Sequence, residues 1–360
     1  MGPRGTGKSK LIEMQLGESA KVIDLLSEDY YGRLIRRPSL LGEIISSDQK
    51  LVVIDEVQRI PALLNEVHRL IEKRGVTFLL TGSSARKLKR SDANLLGGRA
   101  WEANLYPLTS FELGSQFDLI KYCNYGGLPS IYFSKYPNDE LKAYGSLYIQ
   151  EEIQIESAVR KLDSFMRFLD ILALTNGKEI NISSIANDAG VPPRTVSSFM
   201  EVISDTLLGF YLVPFSKTKI RKSVSRSKFY FFDVGVARAL AKQGEIVEDG
   251  ANFGDAFEHF IVQEVRAFVS YLNKDYQLSF WRSSDKDEVD LIVGNKIAIE
   301  IKSTRNVDRG DLKGLRRLQE EKLIEKYIIV SRDPIRRHIG EIECIPYVEF
   351  LEGLWGNKII

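Results

Sequence analysis

The sequence is poor in the residues that build disulfide frameworks and histidine metal sites. Only two cysteines occur in 360 residues, Cys123 and Cys344, without metal-ligand spacing, which favours a reducing, cytoplasmic compartment. The three histidines are scattered, and we interpret them as structural. No apolar run approaches the roughly 18 residues of a membrane span, so no membrane partner is expected. Neither sign of charge is in excess, with 50 Lys and Arg against 49 Asp and Glu, so any nucleic-acid partner must be bound by a local patch.

What is present is a complete phosphate-binding loop. Residues 2–9 read Gly-Pro-Arg-Gly-Thr-Gly-Lys-Ser, and backbone N–H groups at such a loop, with a helix N-terminus behind them, form an anion site for nucleotide phosphates. Lys8 would reach the β- and γ-phosphates, and the Ser9 hydroxyl would bind Mg²⁺. The predicted nucleotide-binding residues are Gly2, Gly5, Thr6, Gly7, Lys8 and Ser9.

A second element supports a nucleotide site. Residues 51–56 form an apolar run that ends in Asp55 and Glu56, the pattern of a buried parallel strand that delivers carboxylates at its C-terminal edge. Asp55 would hold the Mg²⁺ water shell, and Glu56 would orient or deprotonate the attacking water. The alternative is an ordinary core strand followed by an acidic helix start.

A further buried strand, predicted at residues 76–84, ends in hydroxyls. Thr81 or Ser83 would hydrogen-bond the γ-phosphate or the attacking water, whereas capping of the next helix explains Ser83 equally well. Arg99 is a candidate for stabilising charge on the γ-phosphate, in its own subunit or a neighbouring one, and a surface salt bridge is the alternative. Residues 21–26 predict another strand of the same sheet.

The middle of the chain is predicted to be helical from about residue 118 to 178. Residues 182–200 then predict a helix, a Gly-containing turn and a second helix, the layout of a helix-turn-helix. Two strands follow, at 209–215 and 228–232, and a winged helix with a basic wing is the interpretation. The wing would contact duplex DNA phosphates, or would be an exposed hairpin of a packing module. Its basic residues are Lys217, Lys219, Arg221, Lys222, Arg226 and Lys228.

The last third carries acids within two apolar strands. Residues 288–293 and 297–302 place Asp290 on one strand and Glu300 with Lys302 on the next. Two carboxylates across neighbouring strands can share a divalent cation that polarises a phosphodiester, while a lysine two residues on stabilises charge. Glu258 is a candidate fourth member of this site. The alternative is a solvated sheet face with ion pairs.

The register of this hairpin decides whether the acids meet. A three-residue loop pairs Val293 with Ile297, which puts Asp290 opposite Glu300 and Glu288 opposite Lys302. A two-residue loop would place Asp290 and Glu300 on opposite faces of the sheet. We predict the three-residue loop.

These segments together resemble the prokaryotic AAA-type P-loop ATPases that carry a C-terminal restriction-endonuclease-like domain of unknown function. The resemblance rests on GPRGTGKS, VVIDEVQRIP, LLTGSSARKLKR, LLGGRAWEANLYPLTSFEL and YGGLP, and on the Asp290, Glu300-x-Lys302 pattern. It implies an α/β protein with an AAA-type ATPase domain at 1–117, a helical and winged-helix domain at 118–245, and a nuclease-like α/β domain at 246–360.

The resemblance also implies a strand before the phosphate-binding loop. Only Met1 precedes the loop in this sequence, so the expectation is a shortened N-terminus that lacks the first strand of the ATPase domain.

ATP and Mg²⁺ are the expected cofactors, and ATP hydrolysis that drives the C-terminal modules is the expected function. The alternatives are a non-hydrolysing DNA- or protein-binding scaffold with a vestigial ATPase domain, and an ATP-regulated, metal-dependent nuclease. The oligomeric state is left open.

Overall fold

A computed structural model describes residues 1–17, 19–84, 100–155 and 162–360 of the protein. The chain divides into two compact units. The first comprises Met1–Tyr106, Tyr148–Arg160 and Met200–Leu208, and the second comprises Pro107–Leu147, Lys161–Phe199 and Gly209–Ile360. None of the helices in the described ranges is long and apolar enough to cross a membrane.

The α-helices, numbered in chain order, are α1 Lys8–Leu16, α2 Glu28–Arg36, α3 Leu41–Ile44, α4 Leu63–Arg74, α5 Ser110–Leu113, α6 Leu119–Tyr125, α7 Pro129–Tyr132, α8 Pro137–Ala143, α9 Ile149–Ile155, α10 Leu162–Leu174, α11 Ile182–Ala189, α12 Pro193–Asp205, α13 Val234–Leu240, α14 Phe253–Tyr271, α15 Lys313–Gln319 and α16 Tyr347–Trp355. The helical character predicted between residues 118 and 178 is confirmed where the structure describes it.

The strands are β1 Lys21–Asp24, β2 Leu51–Asp55, β3 Thr77–Leu80, β4 Lys178–Glu179, β5 Gly209–Pro214, β6 Lys228–Phe231, β7 Leu278–Arg282, β8 Glu288–Val293, β9 Ile297–Lys302, β10 Lys326–Ser331, β11 Arg337–Ile339 and β12 Ile342–Pro346. Every strand that the sequence predicted occurs. The strands at 288–293 and 297–302 have the predicted ends, and the ends of the others differ by at most four residues.

The first unit is built on a parallel sheet of three described strands in the order β1-β2-β3. The central strand β2 has neighbours on both sides, and its Val52, Val53 and Ile54 are fully buried. A parallel strand that is covered on both faces has a continuous apolar sequence, and this apolar run is what predicted the strand. The carboxyl ends of β2 and β3 lie at one edge of the sheet.

The prediction that β3 is buried like β2 was wrong. Thr77 is exposed and Leu79 is 37% exposed, whereas Phe78 and Leu80 pack on the core of the first unit. Among the described strands β3 pairs with β2 alone, so it is an edge strand with one covered face. An apolar run by itself does not distinguish a central strand from such an edge strand.

The second unit contains a nine-stranded sheet in the order β11-β12-β10-β9-β8-β7-β5-β6-β4. The parallel pair of β5 and β7 joins the strands of the middle of the chain to those of the last third. The sheet therefore runs continuously across residue 245, where the sequence suggested a boundary. The long helix α14 packs on this sheet, with Phe257, Phe260 and Ile261 fully buried.

The two helices predicted at 182–200 are α11 and α12. Asn181 caps α11 through its side chain, and Gly190 ends that helix in a left-handed conformation. Rings of Phe165 and Phe168 on α10 contact Phe199 on α12. The antiparallel hairpin of β5 and β6 follows, with β4 on the other side of β6.

Candidate functional site

The phosphate-binding loop of the first unit has the backbone that its glycines allow. Gly5 and Gly7 adopt φ angles of 85° and 93°, a left-handed region that other residues enter at a steric cost. Helix α1 begins at Lys8, directly after the loop. The Lys8 ammonium donates to the carbonyls of Gly2 and Pro3 at 2.7 and 2.9 Å, so the lysine lies across the loop. The buried Thr6 hydroxyl donates to the carbonyl of Pro3 at 2.9 Å.

Three oxygen-bearing side chains meet beside this loop. The Ser9 hydroxyl donates to Oδ2 of Asp55 at 2.6 Å, and the Thr81 hydroxyl donates to Oδ1 of the same carboxylate. Asp55 is 5% exposed and Thr81 is 7% exposed. Hydroxyl and carboxylate oxygens are ligands that suit Mg²⁺. The residues present therefore fit the cation, which Ser9 would bind directly and Asp55 would hold through its water shell.

Glu56 follows Asp55 in a left-handed conformation, with a φ of 59°. A non-glycine residue in this region marks a local constraint that the surrounding structure maintains. The Glu56 carboxylate accepts hydrogen bonds from Gln58 Nε2 and, at 3.2 Å, from the Ser83 hydroxyl. Gln58 also donates to Ser83 at 3.0 Å and is 3% exposed. Gln58 was not recognised from the sequence, although it lies on the segment that carries both acids.

Several predicted residues are thus brought together, and one is not described. Lys8, Ser9, Asp55 and Thr81 share one region, and Ser83 contacts Glu56 rather than Asp55. Arg99 lies outside the described residues, as does the segment after Ser84 that the alternative capping role concerns.

In the second unit, the predicted turn between the two acid-bearing strands is confirmed. Val293 pairs with Ile297 across β8 and β9, and the pairing continues to Leu291 opposite Ile299. In this register the next opposed residues are Asp290 and Glu300, and there the backbone ladder ends. Instead the Ile301 N–H donates to Oδ2 of Asp290 at 2.8 Å, so the carboxylate lies between the two strands.

Both acids are buried. Asp290 is 6% and Glu300 5% exposed. Burial, reinforced by the nearby Glu258 carboxylate, raises the pKa of Asp290 to about 6. Burial and the neighbouring Asp290 raise the pKa of Glu300 well above its ordinary value. Two carboxyls with raised pKa values in one buried site are typical of functional positions.

Lys302 neutralises part of this charge. Its ammonium lies 2.6 Å from Oε1 of Glu300. Burial opposes the charged form of Lys302, but Asp290 and Glu300 outweigh it and raise its pKa. The other carboxylate oxygen, Oε2 of Glu300, is buried and has no hydrogen-bond partner. A divalent cation between Asp290 and Glu300 would satisfy this oxygen, so these two carboxylates fit a metal.

A wider metal cluster is not formed by the described residues. No group of three or more His, Cys, Asp or Glu side chains among them could hold an ion. Glu258, the candidate fourth member, and Glu288 have other partners. Glu258 is bound by Lys228 and Tyr230, and Glu288 is paired with Lys228 and Arg282 rather than with Lys302.

The prediction that Lys228 belongs to an exposed basic wing was wrong. Lys228 is 4% exposed, and its ammonium lies among the acids of the site. A sequence pattern was present, because Lys228 and Tyr230 alternate with Phe229 and Phe231 in one strand. Polar residues at alternate positions of a strand share one face, so the pattern places both side chains on the same face of β6 but does not show that this face is buried.

The loop that precedes Lys228 is held to the α/β core. The carboxylate of Glu321 accepts the backbone N–H groups of Lys219, Ile220 and Arg221 at 2.8 to 2.9 Å. The Arg221 guanidinium pairs with Glu320, and its side chain is 16% exposed, so it is only a small part of any basic surface. The other basic side chains of the loop, at residues 217, 219, 222 and 226, are exposed.

Comparison with known protein families assigns three consecutive regions. Residues 1–114 match the AAA domain, residues 116–246 match a domain of unknown function (DUF8612), and residues 253–350 match another (DUF4143). The chain therefore carries an AAA domain at its N-terminus, which supports an AAA-type, ATP-binding ATPase with a mixed α/β, P-loop-like fold. A DUF4143 domain lies at its C-terminal end.

Curated proteins are similar to this chain, two of those described here over most of its length and one over about half. The uncharacterised protein Rv2008c of Mycobacterium tuberculosis is 26% identical over 93% of this chain and 77% of its own length. An uncharacterised protein of Haemophilus influenzae is 23% identical over 97% of this chain and 92% of its own. Protein MJ1544 of Methanocaldococcus jannaschii is 27% identical over 51% and 47% of the two chains. No solved structure matches this chain.

Proposed function

We propose that the first unit binds ATP with Mg²⁺ and hydrolyses it. The observation that carries this proposal is the contact of Ser9 with Asp55 at 2.6 Å beside the phosphate-binding loop. It joins the two residues that a magnesium nucleotide needs, although 45 residues separate them in the chain. The match of this region to the AAA domain supports the same assignment.

Each residue has a distinct role in this proposal. Lys8 would leave the carbonyls of Gly2 and Pro3 and place its ammonium on the β- and γ-phosphates, where it stabilises charge that develops in phosphoryl transfer. Glu56 would orient or deprotonate the attacking water. Thr81, which donates to Asp55, would keep that carboxylate in place. Arg99 remains a candidate for the γ-phosphate.

The experiment compares nucleotide binding and turnover in three variants. Lys8→Ala should lose Mg²⁺·ATP binding, measured by calorimetry, because the loop's backbone dipoles alone do not offset the phosphate charge. Glu56→Gln should keep binding and lose hydrolysis. Lys10→Ala is the matched control, since Lys10 is exposed on the same helix, and it should behave like the parent.

Two outcomes would contradict the proposal. Equal ATP affinity in the parent and in Lys8→Ala would show that the loop is not the site. Binding without turnover in the parent would favour the alternative of a non-hydrolysing scaffold.

We also propose the second unit as a metal-dependent site that acts on phosphodiesters, as the resemblance to restriction-endonuclease-like domains implied. The observation that favours it is the buried, unpartnered Oε2 of Glu300 beside Asp290. The acids lie within the order α14-β7-β8-β9-α15-β10, which is a helix, three antiparallel strands, a helix and a strand parallel to β9. A bound cation would polarise the phosphate there, and Lys302 would stabilise the charge.

The order of helices and strands before this site supports a winged helix. The elements follow one another in the order α10-β4-α11-α12-β5-β6, which is the order of that fold. Contact with duplex DNA would rest on the exposed Lys217, Lys219, Lys222 and Arg226.

A further inference from the structure

Lys228 enters the acid site of the second unit from β6, a strand that lies three places from β8 in the sheet. Its ammonium lies 2.6 Å from Oε1 of Glu288, 3.1 Å from Oε1 of Glu258 and 3.9 Å from Oδ1 of Asp290. One cation thus contacts three carboxylates that come from one helix and one strand, α14 and β8. No other described lysine has this number of carboxylate partners in the second unit.

The ammonium is enclosed by its partners. Lys228 is 4% exposed, so the three carboxylates replace the water that the ammonium loses on burial. Tyr230, two residues along β6, donates to the same Glu258 oxygen at 2.6 Å. Because a buried charge that loses its partner is costly, removal of the ammonium would leave these acids destabilised.

This arrangement competes with a divalent cation. A cation bound by Asp290 and Glu300 alone has few protein oxygens, whereas Mg²⁺ and Mn²⁺ complete their coordination with six oxygen ligands. The carboxylates that would add ligands, Glu258 and Glu288, are already bound by Lys228. The fixed positive charge of the ammonium, 3.9 Å from Asp290, also repels a second cation.

We infer that Lys228 sets the cation occupancy of the C-terminal site, because it acts as a tethered cation in the place where Glu258 and Glu288 would otherwise reach a divalent metal. The inference rests on the proposed metal site. It makes the site a weak binder of divalent cations as long as β6 keeps its position beside the acids. In this role Lys228 determines the affinity of the site for a divalent cation and does not itself contact a substrate.

The experiment measures Mn²⁺ binding to the full chain by electron paramagnetic resonance, without nucleotide. Lys228→Gln removes the charge and keeps a hydrogen-bond donor for Glu258, and Lys228→Met removes both. Both variants should bind Mn²⁺ roughly tenfold tighter or more than the parent. Lys135→Gln makes the same charge change at an exposed position of the same unit and should leave the affinity unchanged.

A second substitution locates the ion. Adding Asp290→Asn to Lys228→Gln should remove the gained Mn²⁺ binding, while the ATP affinity of the first unit stays that of the parent. Because loss of Lys228 leaves acids unpaired, thermal unfolding is followed with and without Mn²⁺. The variants should unfold at a lower temperature than the parent without Mn²⁺ and recover most of the difference when it is added.

The outcomes separate the two ideas. Equal, Asp290-dependent Mn²⁺ affinity in the parent and both Lys228 variants would overturn the role of Lys228 and leave the metal site standing. Absence of Asp290-dependent binding in folded parent and variants alike would overturn the metal site, and the role of Lys228 with it.

Discussion

Replacement of Asp290 by asparagine should stabilise the fold at neutral and alkaline pH. Asn keeps an oxygen that accepts the Ile301 N–H, which Asp290 accepts at 2.8 Å, and it removes the charge that burial disfavours. Asparagine therefore imitates the protonated acid. If Asp290 were instead a stabilising member of an ion-paired sheet face, the same substitution would lower the stability of the fold. The sign of the change therefore distinguishes a strained functional carboxylate from a structural ion pair.

The magnitude follows from the pKa values of the two states. The pKa of Asp290 is about 6 in the fold, against 3.8 for an unperturbed aspartate. Because the pKa of Asp290 is higher in the fold than in the unfolded chain, the contribution of this residue to stability is complete below pH 3.8. That contribution is lost as the pH rises through 6. At about 1.4 kcal/mol per pKa unit, the ionised Asp290 costs about 3 kcal/mol at pH 8. Asp290→Asn should therefore exceed the parent by about 3 kcal/mol at pH 8 and by about 1 kcal/mol at pH 4.5.

The assay is urea unfolding at both pH values, followed by tryptophan fluorescence. Trp281 is fully buried in the second unit, whereas Trp101 of the first unit is fully exposed, so the signal reports mainly on the second unit. Asp285→Asn, at an exposed position in the neighbouring turn, is the control and should change the free energy of unfolding little at either pH. An Asp290→Asn protein less stable than the parent at pH 8 would refute the reasoning and favour the ion-paired sheet face.

Two further predictions concern nucleic acid. If the C-terminal site cleaves DNA, cleavage should require Mn²⁺ or Mg²⁺ and vanish in Asp290→Ala, Glu300→Ala and Lys302→Ala, each with the ATP affinity of the parent; metal-independent cleavage would contradict this site. If the exposed loop contacts duplex DNA, replacing Lys219, Lys222 and Arg226 together by Ala should reduce the slope of log affinity against log salt by roughly two to three. Alanines at the exposed positions 135, 322 and 358 are the matched control, and an equal change there would assign the effect to net charge.

Local sequence determined the nucleotide-binding elements well. The loop at residues 2–9 needs left-handed backbone at Gly5 and Gly7, and few sequences other than glycine-rich ones allow it. The run that ends at Asp55 is apolar because both faces of β2 are covered, as the full burial of Val52, Val53 and Ile54 shows. The turn between β8 and β9 was predicted for a different reason, because only the three-residue loop places Asp290 opposite Glu300 on one face of the sheet. The apolar pattern did not decide the register, since both faces of β8 and β9 are buried.

Only the tertiary structure decided where Lys228 lies. Six basic residues within twelve positions indicate an exposed charged loop, and four of them are exposed. The sequence does not show that β5 pairs with β7, which places the hairpin in the same sheet as the acids and brings β6 beside α14. Once there, the Lys228 ammonium loses its water and is stabilised only by carboxylates that lie 30 to 62 positions away in the chain. Charge is a property of the residue, but burial and partners depend on contacts between distant strands.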